Sequence, residues 1–367
     1  MFTPTSLFKN IGLHALILLA FSLAGPGEAK SQSVYRYDVE KVVDDVYVLK
    51  PVINSHRWVT ANIVVIVNRD DVFVVDSGLL PEAANEAIRE IRKITQKPVT
   101  HLVNTHWHGD HWQGNEAFVS AYPGVNILAT EQGYKGIARN GMVWATQFYN
   151  RYFQMMLDRT IQEATAANPS RSKSETAELQ EGVDQLKQDV ESMKKLKPVL
   201  PHTTFSERMI IRRGSREIQL HYLGIGNTSG DAVVYLPAEK VLIAGDLVVH
   251  PSPYESAMFS PEWLETSEKL AAFDYTYLVP GHGAVQRDHG YLDFLNGLFR
   301  EIIDQILAAY KSGKGNVDEV AAVVTHSSVV QALDKTSAFK KYTGELDPGF
   351  VPAAVKTSFK RIVQGKL

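Results

Sequence analysis

Short apolar runs separated by turn chemistry recur along most of this chain. Residues 46–49, 63–67 and 72–75 are rich in β-branched and aromatic side chains and predict strands. Asn68-Arg69-Asp70-Asp71, between the last two, is turn chemistry, so those runs are expected to pair as a hairpin. Residues 81–94 carry Ala84, Ala87, Ile88, Ile91 and Ile94 at helical spacing. A strand over 99–103, a helix starting near Gln113 and a strand over 125–129 follow. The second half repeats the logic, with strands predicted over 217–222, 232–236, 241–244 and 275–279 and a helix over 261–272. Strands with interspersed helices predict an α+β chain, its helices packed outside a core of sheets.

Residues 133–198 break this pattern. Residues 142–157 are crowded with Trp144, Phe148, Tyr149, Tyr152, Phe153, Met155 and Met156. Further on, Leu179, Val183, Leu186, Val190 and Met193 follow at alternating four- and three-residue steps, the stripe of a helix that meets another helix. A polar linker over 168–174 lets the two fold back as a helical hairpin, and Ser172 with Glu175 fits a capping box. Packing between the two helices is the plainest reading of this insertion. A lid over an active-site mouth and a homodimer contact are the sharper ones. Residues 291–309 and 317–324 look helical, and 311–367 is read as a C-terminal helical extension that carries no readable motif.

The chain has 367 residues, 44% of them hydrophobic, enough for a large core. Its net charge of −3, without blocks of like charge, argues against a nucleic-acid partner. The absence of Cys removes disulfides, thiolate ligands and Cys nucleophiles. Lys9, an apolar stretch over 11–24 and Gly27-Glu28-Ala29 resemble a secretory signal peptide over 1–29. Export to the periplasm or beyond, with no membrane span in the mature chain, is the expectation. An uncleaved N-terminal anchor is the alternative.

The richest chemistry lies in Thr105-His106-Trp107-His108-Gly109-Asp110-His111, directly after an apolar strand. Imidazole and carboxylate suit Zn²⁺ and similar divalent ions, and a solvated loop has no structural need for such a cluster. Two later segments end the same way: Val241-Leu242-Ile243-Ala244-Gly245-Asp246 puts a carboxylate on the loop beyond a strand, and Tyr277-Leu278-Val279-Pro280-Gly281-His282 an imidazole.

With Val75-Asp76-Ser77-Gly78 and Gly226-Asn227-Thr228-Ser229-Gly230-Asp231, these motifs resemble those of the metallo-β-lactamase-fold hydrolase superfamily. The resemblance implies a four-layer αββα sandwich over 30–310, interrupted by the helical hairpin insertion, with two neighbouring metal sites between the sheets. One would use His106, His108 and a third His. The other would use Asp110, His111 and His282, with Asp246 bridging both. This chain departs from the pattern, since Asn227 stands where the third His is expected. Asn is a poorer Zn²⁺ donor than imidazole. Firm binding is therefore expected at Asp110, His111, Asp246 and His282, and partial occupancy at the other site. Asp76 is expected to support a ligand histidine rather than bind metal, and Asp231 to support or cap a loop.

The resemblance implies a hydrolase for a small-molecule substrate, exported if the signal-like N-terminus is read with it, in which a zinc-bound hydroxide attacks an ester, thioester, lactone or lactam. Asp110 would orient the water, and Asn227 could donate an N–H to the developing oxyanion. His56, Trp58, Trp107, His250 and Tyr254 are candidates for packing or for the rim of the mouth. Two other classes stay open: a mononuclear iron oxidoreductase of the same fold, and a degenerate metal- or partner-binding protein.

Overall fold

The computed structural model describes residues 35–52, 60–254 and 259–364. Among them, one sheet runs in the order β1 (Tyr37–Val43), β2 (Val46–Pro51), β3 (Ile63–Val67), β4 (Val72–Val75), β5 (Val99–Val103), β6 (Asn126–Thr130) and β7 (Thr203–Phe205). The second contains β8 (Arg208–Arg213), β9 (Arg216–Tyr222), β10 (Ala232–Leu236), β11 (Val241–Val249) and β12 (Tyr277–His282), each beside the next. β3 and β4 form the expected antiparallel hairpin, with Val67 opposite Val72. From β4 to β7 the pairing is parallel, as it is between β11 and β12.

Strand parity divides the apolar side chains between layers, because neighbours along a strand face opposite sides of a sheet. Val64, Ile66, Phe73, Val75 and Val103 point inward and meet Leu220, Val234, Leu236, Ile243 and Val279 of the other sheet. Val65, Val67, Val72, Val74 and Leu102 point outward, onto helix α1 (Pro81–Ile94). Covered on both faces, β3 and β4 read as unbroken apolar runs, as buried strands should. Helices α2 (Gly109–Trp112) and α3 (Asn115–Ala121) follow β5, in place of the single helix expected near Gln113.

The insertion consists of α4 (Glu131–Gly136), two π-helical turns (Ile137–Gly141 and Trp144–Phe148), α5 (Tyr149–Thr165) and α6 (Lys173–Lys194). Both halves of the Ser172–Glu175 capping box are formed at the start of α6. Phe153 and Leu157 of α5 pack with Val183, Leu186, Val190 and Met193 of α6, and this core continues onto Leu79, Leu80 and Ala83. The hairpin is thus seated on the sandwich by an apolar interface of its own.

Helices α7 (Glu262–Ala271) and α8 (Gly290–Lys311) cover the outer face of the second sheet, completing αββα layers. Beyond them come α9 (Val317–Ala321), α10 (His326–Leu333), α11 (Lys340–Thr343) and α12 (Phe350–Val363). Phe350, Val351, Ala354, Val355, Phe359 and Ile362 of α12 join the same apolar cluster as Phe299, Ile302 and Ile306 of α8. Among the described residues, no helix is long and apolar enough to cross a membrane. The signal-like segment over 1–29, together with His56 and Trp58, lies outside the described residues.

Candidate metal centre

Strand ends deliver the polar groups to one edge between the sheets. Asp76 follows β4 directly, His106 comes three residues after β5, and His282 ends β12. Asp246 corrects an expectation: it lies within β11, which runs on to Val249 across a register irregularity between Ile243 and Gly245. Gly245 and Asp246 redirect the strand rather than end it. Gly281 is required beside it, because a Cβ there would overlap Oδ1 of Asp246.

Four side chains face one another across a small buried space. His282 Nε2 lies 3.1 Å from Asp110 Oδ2 and 3.4 Å from Asp246 Oδ1. His111 Nε2 lies 3.5 Å from Asp110 Oδ2 and 3.4 Å from Asp246 Oδ1. Ligand bonds of about 2.0–2.1 Å to a tetrahedral zinc put its donors about 3.3 Å apart, so these spacings suit one shared cation. His111 Nε2 and Asp246 Oδ1 are also buried without a hydrogen-bond partner. Orphaned buried polar atoms are destabilising unless something satisfies them, and a cation between them would. The donor set therefore fits a metal ion. His106 Nε2 approaches the other oxygen of Asp246, Oδ2, at 3.6 Å, and His106, His111 and Asp246 form a second potential grouping.

The other site differs. His106 Nε2 and His108 Nδ1 are 2.9 Å apart, and the amide nitrogen of Asn227 reaches both, at 3.5 and 3.3 Å. The same Nδ2 donates to Asp246 Oδ2 at 3.3 Å. An amide donor thus lies between the two rings and the carboxylate. Its two N–H groups are shared between Asp246 and whichever ring nitrogen of the His106–His108 pair is unprotonated.

Around these groups lies a second ring of contacts. Asp76 stands away from the donor cluster, in a left-handed backbone conformation (φ 63°) unusual for a residue with a Cβ. Its Oδ2 is 2.7 Å from His111 Nδ1, which fixes that ring with Nε2 turned inward. Its carboxylate also accepts from the backbone N–H and the hydroxyl of Thr105, at 2.7 and 2.9 Å. Asp231 accepts from the Thr228 N–H and hydroxyl, holding the loop that carries Asn227. Burial raises Asp231 to about 7.

Sequence reasoning did not single out Asn104, Asn115 or Tyr149. Asn104 donates to the His111 carbonyl at 2.9 Å and pairs with Asn115 through both amides. A buried Asn immediately before the His cluster was the available signal. Tyr149 of the insertion is buried and bonded to the backbone of Gly109, inside the cluster itself. Of the rim candidates, Tyr254 packs edge-on to His282 (5.5 Å between ring centroids), His250 on Tyr291 (4.8 Å) and Trp107 on His108 (4.5 Å).

The facing charges also set the protonation of the His111 and His282 rings. Burial would depress both rings, but the facing carboxylates raise His111 to about 9 and His282 to about 10. The same rings hold Asp110 and Asp246 below the ordinary carboxylate range, against the opposing effect of burial. His106, buried and beside other imidazoles, is pushed well below its usual value.

The fold is that of the metallo-hydrolases. The metallo-beta-lactamase superfamily model matches residues 56–282, and the chain belongs to that superfamily, whose members bind metal ions. It is 24% identical over 234 residues to the linear primary-alkylsulfatase of Pseudomonas sp. (strain ATCC 19151), a match covering 58% of this chain and 40% of that protein. The chain therefore spans less than half the length of this curated relative. The stereoselective inverting sec-alkylsulfatase Pisa1 from Pseudomonas sp. superposes with a TM-score of 0.60 at 16% identity, over 89% of this chain and 50% of that one. A metallo-beta-lactamase from Pontibacter korlensis superposes at 0.51 and 19% identity, over 72% and 99%.

Proposed function

We propose that this protein is a metal-dependent hydrolase that cleaves an ester of a small molecule, with a sulfate or carboxylate ester as the bond attacked. The observation that carries the reading is the convergence of Asp110, His111, Asp246 and His282, two of whose inward-facing atoms are buried without a hydrogen bond. Zinc suits this set of two imidazoles and two carboxylates. When bound, such an ion supplies Lewis acidity and lowers the pKa of water toward neutrality. Asp110 is placed to orient the water and take up its proton. In a carboxylate ester the hydroxyl then goes to the acyl carbon and a proton to the departing alkoxide oxygen; in an alkyl sulfate cleaved with inversion the hydroxyl goes to the alkyl carbon and sulfate departs. Asp76 keeps His111 in the required tautomer throughout. Asn227, its N–H engaged by Asp246, serves this reading better as an occupant of the first site than as an oxyanion donor.

The sulfate ester stands first in the panel because the likeness to a sec-alkylsulfatase extends over more of this chain than the likeness to a β-lactamase. A signal peptide over 1–29 would deliver the enzyme to the periplasm or beyond, which N-terminal sequencing of the secreted protein would check. The test of function is turnover of alkyl sulfate, carboxylate ester, thioester, lactone and lactam substrates, with and without chelator. Chelator-sensitive hydrolysis of an ester is expected. Bound metal without turnover across the panel would move the protein to the binding class, and bound iron with oxygen-dependent turnover to the oxidoreductases.

A further inference from the structure

A row of aromatic rings leads away from the metal centre. Trp107 packs edge-on to His108, its ring centroid 4.5 Å from the imidazole, and meets Trp144 at 5.4 Å. Trp144 meets Phe148 at 4.5 Å, and Phe148 stacks on Tyr152 at 5.9 Å. The middle of the row is the most open: Trp107 and Tyr152 at its ends are half-buried, whereas Trp144 is 36% exposed and Phe148 41%. Trp144, Phe148 and Tyr152 recur at four-residue intervals, and the π-helical turn over Trp144–Phe148 keeps their rings on one side.

This row is built onto the metal loop rather than hung beside it. Gly136 of α4 lies against the Trp107 indole so closely that a Cβ there would stand 2.8 Å from Cδ1. Trp112 donates its indole N–H to the Trp107 carbonyl at 3.0 Å. Single exposed apolar side chains are ordinary on a protein surface, but a contiguous strip that starts at a candidate metal ligand is not. Its continuity with the centre favours the part of a substrate that is not cleaved.

We propose that this strip binds an apolar chain on the substrate, with Trp144 and Phe148 setting the preference for chain length. The proposal rests on the reading of the centre as an ester hydrolase and adds to it the portion of the substrate beyond the reacting bond. Full burial of a methylene favours binding about fourfold, so a chain lying on an open strip gains about twofold per methylene.

Two arms test this. In the first, kcat/KM is measured across a C4 to C12 series of esters sharing one head group, for the wild type and for Trp144→Ala/Phe148→Ala. In the second, binding of C4 to C12 alkyl sulfonates, which lack the ester bond, is measured by titration calorimetry on the same proteins, with sedimentation and thermal melts alongside. The long-to-short ratio should rise about twofold per methylene in the wild type and flatten toward one in the variant. Trp144→Phe/Phe148→Leu, which keeps an apolar surface, should retain most of the slope.

A wild-type ratio independent of chain length overturns the proposal. So does a slope that survives loss of both rings, or a variant that loses only self-association, since the strip is then a contact between copies. If no ester is hydrolysed, the reading of the centre fails while the sulfonate series still decides the strip.

Discussion

His111 and His282 turn their Nε2 atoms toward Asp110 and Asp246, whereas His106 and His108 face the amide of Asn227 across the same carboxylate of Asp246. The two halves of the centre share a fold, a loop and a bridging group, and both are buried. They differ in whether a neutral amide or an imidazole completes the shell. On one side, four carboxylate–imidazole approaches of 3.1–3.5 Å surround two buried atoms, His111 Nε2 and Asp246 Oδ1, that have no hydrogen bond. On the other, the Asn227 amide nitrogen lies 3.3–3.5 Å from His106, His108 and Asp246.

The largest effect should come from Asp246→Ala, because that carboxylate faces both halves. Metal affinity is expected to fall beyond the about 10–100-fold typical of losing an outer partner, with chelator-sensitive turnover lost. Metal retained at wild-type affinity would break the comparison at its root. Asp76→Asn should act on one half only. It removes the charge that fixes His111 and should weaken metal binding about 10–100-fold while the fold persists, as read by metal titration and circular dichroism.

A smaller effect concerns pH. His111 and His282 sit at about 9 and about 10 without metal, above the roughly 6.5 of an unfolded imidazole. Their protonated forms stabilise the metal-free fold fully below about 6.5, and that contribution is lost as pH rises through 9 to 10. A cation must displace these protons, so apparent affinity should climb with pH up to about 10 and then level off. Calorimetry in buffers of different ionisation enthalpy should detect about two protons released per metal at pH 7. Uptake without proton release would contradict the assignment of the cradle to these rings.

Much of this was legible in the sequence where one physical signal dominated. The strand over 63–67 and the helix over 81–94 carried clean apolar patterns, and the hairpin insertion carried a 4-3 stripe and a capping box. Of the edge strands, β12 was legible but β1, β7 and β8 were not. In β8, Arg208, Arg212 and Arg213 surround Met209, Ile210 and Ile211, and charge at a sheet edge hides strand character from a composition-based reading. Helix α12 carried a readable stripe in Phe350, Val351, Ala354, Val355, Phe359 and Ile362, yet without a chemical motif it drew no attention. The ligand residues stood out because imidazoles and carboxylates cluster there against local expectation. Asn104 and Tyr149 did not, since each acts through one bond to the backbone of a ligand loop, and only the fold brings Tyr149 to Gly109.

Metal content after native purification and exhaustive dialysis tests the central claim most directly, measured on the wild type and on Asn227→His. The wild type should hold closer to one equivalent than two, and Asn227→His should move toward two. A wild-type protein that retains a tightly held pair of ions through dialysis, with no gain in Asn227→His, would contradict the account.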